Sequence, residues 1–158
     1  MKNDAVAPAG RCRPDFGGVG GLVSVTQSAK VLTRDGEIPA EHLVPGDDLV
    51  ARDGGYVTLK LAMRVRQQVR TIWVQDGFLN GLAPEGGVML PAHQRVLQRD
   101  LRTAPVPASF LVSLERAEDI GIRQLTVIQL WLEHSDTIYA AGLELPAAQV
   151  DRRLQDAA

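Results

Sequence analysis

The stretch from Thr33 to Gly55, TRDGEIPAEHLVPGDDLVARDGG, most constrains what this chain can fold into, because three turn signals are packed around two short apolar runs. Asp35-Gly36 and Asp53-Gly54-Gly55 supply residues that accept the positive φ of tight hairpin turns, and Pro45-Gly46 suits the central positions of a type II turn. Between them, Pro39 to Leu43 reads as one helical turn and Asp48 to Ala51 as the start of a strand. A chain that reverses this often packs as short β-strands.

The remainder supports an all-β reading. Residues 1 to 21 are rich in Gly, Pro and Ala and read as a flexible arm. Their glycines do not form a nucleotide loop: no strand precedes them, no Lys-Ser or Lys-Thr follows, and Val23 breaks the GxGxxG spacing. Short strands are expected at 22–25 and 29–33 from their β-branched content. Tyr56 to Gln67 and Val69 to Val74 read as a hairpin turning at Gln67-Gln68, and 77–87 as a glycine-containing loop. Strands follow at 88–90 and 95–98, and 108–112 is open between a strand and a helical turn. Leu125 to Leu132 and Thr137 to Ala141 read as a hairpin joined by Glu133-His134-Ser135-Asp136. Pro146 to Asp156 has a first-turn proline and Val150 and Leu154 at helical spacing, which predicts a short C-terminal helix.

At 158 residues with 45% hydrophobic content, the chain suits one domain, 22–158, behind the arm. A formal charge of -2 offers no electrostatic attraction to nucleic acid or an anionic membrane, and two Trp, two Tyr and three Phe serve base stacking poorly. A single cysteine, Cys12, excludes an internal disulfide or a cysteine zinc cage; it reads as an incidental free thiol in the arm. With histidines scattered at 42, 93 and 134, neither a metal site nor a cofactor site is readable. His42 reads as a surface or capping residue. The N-terminus lacks the uninterrupted apolar run of a signal peptide, and no stretch reaches the roughly 18 apolar residues of a membrane span, so a cytoplasmic location is the default expectation.

Three separated pieces resemble one family. Ser28 to Glu37 followed by Ala40 to Val50 is similar to the opening of Hint domains, the self-processing module shared by hedgehog proteins and inteins, with its strand, Asp-Gly turn, Val-Glu-x-Leu element and Gly-Asp turn. Met89-Leu-Pro-Ala-His-Gln-Arg-Val-Leu97 resembles the bacterial Ser-Pro-x-His-Arg-Val-Leu segment. Leu130 to Gly142 resembles the Asp-Arg-His-Glu strand-turn-strand that ends in Ala-Glu-Gly. The resemblance implies an all-β, pseudo-twofold horseshoe of short strands covering roughly residues 22 to 145.

It also implies a chemistry. In such domains a Cys or Ser at the first position attacks the preceding carbonyl, while a histidine helps the departing amide nitrogen gain its proton, since a hydroxyl is weak at its free pKa and an amine leaves badly unprotonated. Twelve residues before Gly36, the nucleophile column holds Ser24, and the bond at risk is Val23-Ser24, with arm residues 1–23 as the substrate in cis. His93 is the candidate proton donor. If it anchors a Thr-x-x-His motif, the Thr position is Leu90; if Arg95-Val96-Leu97 sets the register, the histidine column holds Gln94 and its partner column Pro91. The late piece slips similarly: Ser135 fills the histidine column, His134 stands beside it, and Gln129 occupies another histidine position. His93 and His134 each also have a purely structural reading. The expectation is a divergent, slow or silent autoprocessing domain, single-turnover if active. The chain does not end in the His-Asn-Cys that inteins use, so two-sided splicing is not expected. The alternative is a non-catalytic β-rich module for a protein partner, with Trp73, Trp131, Phe78 and Phe110 as its candidate anchors.

Overall fold

The turn chemistry of residues 33–55 sets the first part of the computed structural model, which describes residues 20–74, 87–97, 104–113 and 117–150. Strand β1 (Gly21–Thr26) leads into the hairpin of β2 (Lys30–Thr33) and β3 (Gly36–Pro39), paired from Lys30↔Pro39 to Thr33↔Gly36. A 3-10 turn at Ala40–His42 follows. The chain then reverses at Val44-Pro45-Gly46-Asp47, where Asp47 N–H donates to Val44 O and Gly46 takes φ +99, the left-handed geometry that the third residue of a type II turn requires. Strand β4 (Asp48–Val50) begins there, and the Asp53-Gly54-Gly55 turn delivers β5 (Tyr56–Val74).

Here the structure departs from the sequence reading. Tyr56 to Val74 is one strand of 19 residues, not a hairpin. Gln67-Gln68 contains no residue with turn chemistry, so nothing reverses the chain; the irregular alternation comes from two register shifts, between Leu59 and Leu61 and between Arg70 and Ile72. After β6 (Val88–Pro91), β7 (Arg95–Val96) and β8 (Val106–Pro107), residues 108–113 form a one-and-a-half-turn helix α1 (Ala108–Ser113), which closes the choice left open there. Strand β9 (Glu118–Leu132) runs antiparallel along β5 from Leu59↔Leu132 to Trp73↔Glu118.

Strand β10 (Thr137–Ala140) does not pair with β9, which corrects the second expected hairpin. β9 lies between β5 and β1, whereas β10 lies between β2 and β11 (Leu143–Pro146), so Glu133 to Asp136 is a corner between two regions of the sheet. The expected C-terminal helix is also replaced over its described part: Leu143 to Pro146 is β11, and Ala148 and Gln149 form β12 (Ala148–Gln149) against β1. Residues 151–156 of that helix lie outside the described residues, as do residues 1–19 of the arm and 77–86 of the glycine loop. Of the arm expected over residues 1–21, Gly21 opens β1, and Gly20 just before it donates its N–H to Leu132 O at 2.9 Å.

The resulting order is β11-β10-β2-β4-β5-β9-β1-β12, with β3 on β2 and β6 on β5. Val23 and Val25 of β1, Leu130 and Leu132 of β9, Val57 and Leu59 of β5, and Ile138, Leu143 and Leu145 of β10 and β11 are buried in one core. Each such side chain contributes about 1.5–3 kcal/mol relative to remaining in water. Ile72, Leu90, Val96 and Leu111 extend that core towards α1. Glu144 is the one acidic side chain buried among the described residues, and its Oε1 lies 2.8 Å from Arg52 Nε. Among the described residues no helix is long and apolar enough to cross a membrane.

Candidate functional site

Ser24 sits in the middle of β1, directly opposite Gln129 of β9. On its other side β1 is flanked by β12, but that strand pairs only with Gly21 and Leu22. The Ser24 N–H therefore lies just beyond the end of a ladder, and Ser24 is only 6% exposed, so it needs a partner other than water. A side chain provides it: Ser24 N–H donates to Gln94 Oε1 at 2.8 Å. The nitrogen involved is that of the Val23-Ser24 peptide bond.

Gln94 is held from several directions. Its N–H donates to Pro91 O at 3.0 Å, closing the turn between β6 and β7, and its carbonyl accepts from Ala108 N–H at 2.8 Å, tying it to the start of α1. Its Nε2 donates to Arg95 O at 2.9 Å and faces Pro146 O of β11 at 3.5 Å. Because an N–H meets one end of the carboxamide and two carbonyls face the other, the partners define its orientation. Gln94 is 5% exposed and braces β1, the β6–β7 turn and β11 together.

The two histidines lie outside this hydrogen-bonded set. His93 precedes Gln94 in the same turn but is exposed while Gln94 is buried, so the two side chains face different environments. His134 is exposed on the Glu133–Asp136 corner, with Nε2 3.4 Å from Asp136 Oδ2. Ser135 donates its hydroxyl to Ala147 O at 3.1 Å. The structure thus joins Ser24 to Gln94 by a hydrogen bond and sets Gln129 opposite Ser24 in the strand register, so the occupants of two other columns identified in the sequence each meet Ser24. The contribution of Pro146 O was not visible there, since nothing local to residue 146 announces a partner 52 positions away.

The chemistry available at this nitrogen follows from the donor and acceptor roles. A carboxamide oxygen accepts the amide hydrogen and has no proton to return, whereas expulsion of the nitrogen as an amine requires a proton to be delivered. The acceptor of this N–H, Gln94, is uncharged, as are Ser24 itself and its register partner Gln129. Among the described residues no cluster of His, Cys, Asp and Glu could hold a metal ion; Cys12 lies outside them. Of the four aromatics considered as anchors, Phe110 is 46% exposed, Trp73 and Trp131 are half-buried, and Phe78 lies outside the described residues.

The sheet and its long central β5–β9 pair define a fold shared with inteins of known structure. Among solved structures, a variant of the gp41-1 intein matches with a TM-score of 0.51 and 11% identity, covering 80% of this chain and 98% of that one. A variant of the MchDnaB-1 intein matches with a TM-score of 0.51 and 11% identity, covering 78% of this chain and 99% of that one. No curated protein sequence matches the chain. The family model of the Hint domain matches residues 23–149, and the chain belongs to that family.

Proposed function

We propose that this chain is a Hint domain whose self-processing site is strongly attenuated, so that the Val23-Ser24 bond undergoes the N-to-O acyl shift slowly or not at all. In that shift Ser24 Oγ bonds to the Val23 carbonyl carbon, the carbon–nitrogen bond breaks, and the hydroxyl proton is relayed to the departing nitrogen. An ester then joins residues 1–23 to Ser24, and water or an added nucleophile resolves it.

The observation that carries this reading is the 2.8 Å bond from Ser24 N–H to Gln94 Oε1. It stabilises the amide form and places an acceptor where a proton donor is needed. A serine nucleophile acts in the same direction, since at neutral pH it has essentially no ionised fraction while a cysteine has a few per cent.

The test is intact-mass measurement of the purified chain incubated with hydroxylamine. The natural chain is expected to keep its full mass over hours, and a Ser24→Cys, Gln94→His double variant is expected to lose residues 1–23. Ser24-dependent loss of the arm from the natural chain as fast as from the double variant would overturn the reading.

A further inference from the structure

The residues on the N-terminal side of the Val23-Ser24 bond are built into the domain. Gly20 N–H donates to Leu132 O at 2.9 Å, and Gly20 O accepts from Val150 N–H at 3.1 Å. Gly21 stands between Leu132 and Gln149, and Leu22 between Trp131 and Ala148. Val23, opposite Leu130, is fully buried. The flank is therefore the middle strand of β9-β1-β12, covered at its upstream end by the Glu133–Ser135 corner.

That corner leaves no space for side chains. A Cβ on Gly20 would lie 2.9 Å from His134 Cα and 3.2 Å from Glu133 O. A Cβ on Gly21 would lie 2.9 Å from Ser135 Cα, 2.9 Å from Ala147 Cβ and 3.0 Å from His134 O. These are backbone atoms and a β-carbon, which cannot swing aside as the tip of a long side chain can. Neither glycine is among those with positive φ, so the requirement is one of close approach rather than backbone conformation.

Resting on the assignment of Val23-Ser24 as the acyl-shift bond, we propose that this domain reads the sequence of its own N-terminal flank. It accepts an extended segment with glycine at the third and fourth positions before the bond and a β-branched aliphatic residue immediately before it. Glu133, His134, Ser135 and Ala147 form the steric filter at the glycines, and the core around Leu130 receives Val23. His134 acts here through its Cα and carbonyl oxygen, as a wall rather than a titrating group. The flank also stays in the sheet once the acyl group has moved to Ser24 Oγ, so the freed Ser24 amine remains beside the ester carbonyl; its attack there expels Ser24 Oγ, which takes the amine's proton, and restores the amide unless another nucleophile attacks the ester first.

The experiment uses the full chain with two readouts. In the natural background, hydrogen exchange over residues 20–26 is compared among the parent, Gly21→Val, Gly20→Ala and the control Gly55→Ala, whose added Cβ meets only Asp53 Oδ1 at 3.6 Å. Exchange in 20–26 is expected to accelerate about tenfold or more in Gly21→Val while residues 30–50 keep their protection, and to stay within about twofold in the control. Should Gly21→Val unfold the whole domain, Gly20→Ala at the strand's entry gives the same local comparison. In the Ser24→Cys, Gln94→His background, Gly21→Val is expected to slow arm release by about tenfold or more. Unchanged protection of 20–26 in both glycine variants overturns the proposal, whether or not the cleaving background works. A double variant that fails to cleave while protection remains glycine-dependent overturns only the attenuated-site reading.

Discussion

Removing the Gln94 side chain tests how much of this domain's stability passes through the Ser24 amide. In Gln94→Ala the buried Ser24 N–H loses its only described acceptor, and leaving such a donor unmet costs about 1–3 kcal/mol. Arg95 O loses a donor at 2.9 Å, and the truncated side chain leaves a gap at a site only 5% exposed. Together we expect a loss of about 2–4 kcal/mol. Urea unfolding followed by the fluorescence of Trp73 and Trp131 measures it, with a fall in Tm of roughly 6–15 °C alongside. Gln94→Glu sharpens the argument. One carboxyl oxygen still accepts from Ser24 N–H, but the other faces the carbonyls of Arg95 and Pro146, which repel an anion and accept from a protonated acid. The folded-state pKa of the new carboxyl is therefore raised above its unfolded value of about 4.3. The folded state then holds the extra proton, so relative to the natural chain the variant is most stable below about pH 4 and loses stability as pH rises towards its folded pKa. A Gln94→Ala loss below about 1 kcal/mol, or a Gln94→Glu chain that gains stability on the natural one between about pH 4 and pH 7, would refute the bracing role.

Ala141 is the one non-glycine residue with positive φ among the described residues, at +54, and with Gly142 at +78 it forms the two-residue turn between Ala140 and Leu143. Ala141→Gly removes that steric cost at the expense of a partly buried methyl, and thermal unfolding should show a gain of about 0.5 kcal/mol; a loss of stability would contradict the strain argument. Asp119 is held below its ordinary value of 3.8, first by the N–H of Gly121 and then by Arg70, against some desolvation. A depressed folded-state pKa contributes stability that is complete above the unfolded value and lost as pH falls through the folded one. The advantage of the natural chain over Asp119→Asn should therefore be constant well above the ordinary value of 3.8 and shrink as pH falls through and below it in urea titrations, and a constant difference would show that the carboxylate charge is not what matters.

The parts of the fold that were legible in sequence are those whose requirements are local. Pro45-Gly46 specifies its turn because one residue has a fixed φ and the other accepts a positive one. The continuity of β5 is not legible locally, because its two register shifts interrupt the period-2 pattern and its pairing partner β9 is distant in sequence. Glu133 to Asp136 is polar enough for a hairpin, yet the partners of β10 are β2 and β11. Pro146 to Val150 carried helix signals that lost to pairing of Ala148 with Leu22. At the site, Gln94 was visible in the histidine column under the Arg95-Val96-Leu97 register, whereas its grip on Arg95 O and Pro146 O depends on β11 arriving beside the turn.

Strain gives an independent line on the Val23-Ser24 bond. Sites that must break a peptide bond are where backbone distortion and half-met hydrogen bonds collect, because both bring the ground state closer to the reaction. Along β1 the register with β9 runs unbroken from Gly21↔Leu132 to Thr26↔Val127, and Val23 and Val25 are anchored in the core. The Ser24 N–H has a short acceptor, and the left-handed non-glycine residue of the described chain is at a surface turn, Ala141. The bond that would have to be cut is thus embedded in regular, paired strand. On the proposed reading, the Gln94 contact that braces the strand also opposes departure of the nitrogen, so stability and reactivity would compete at this position.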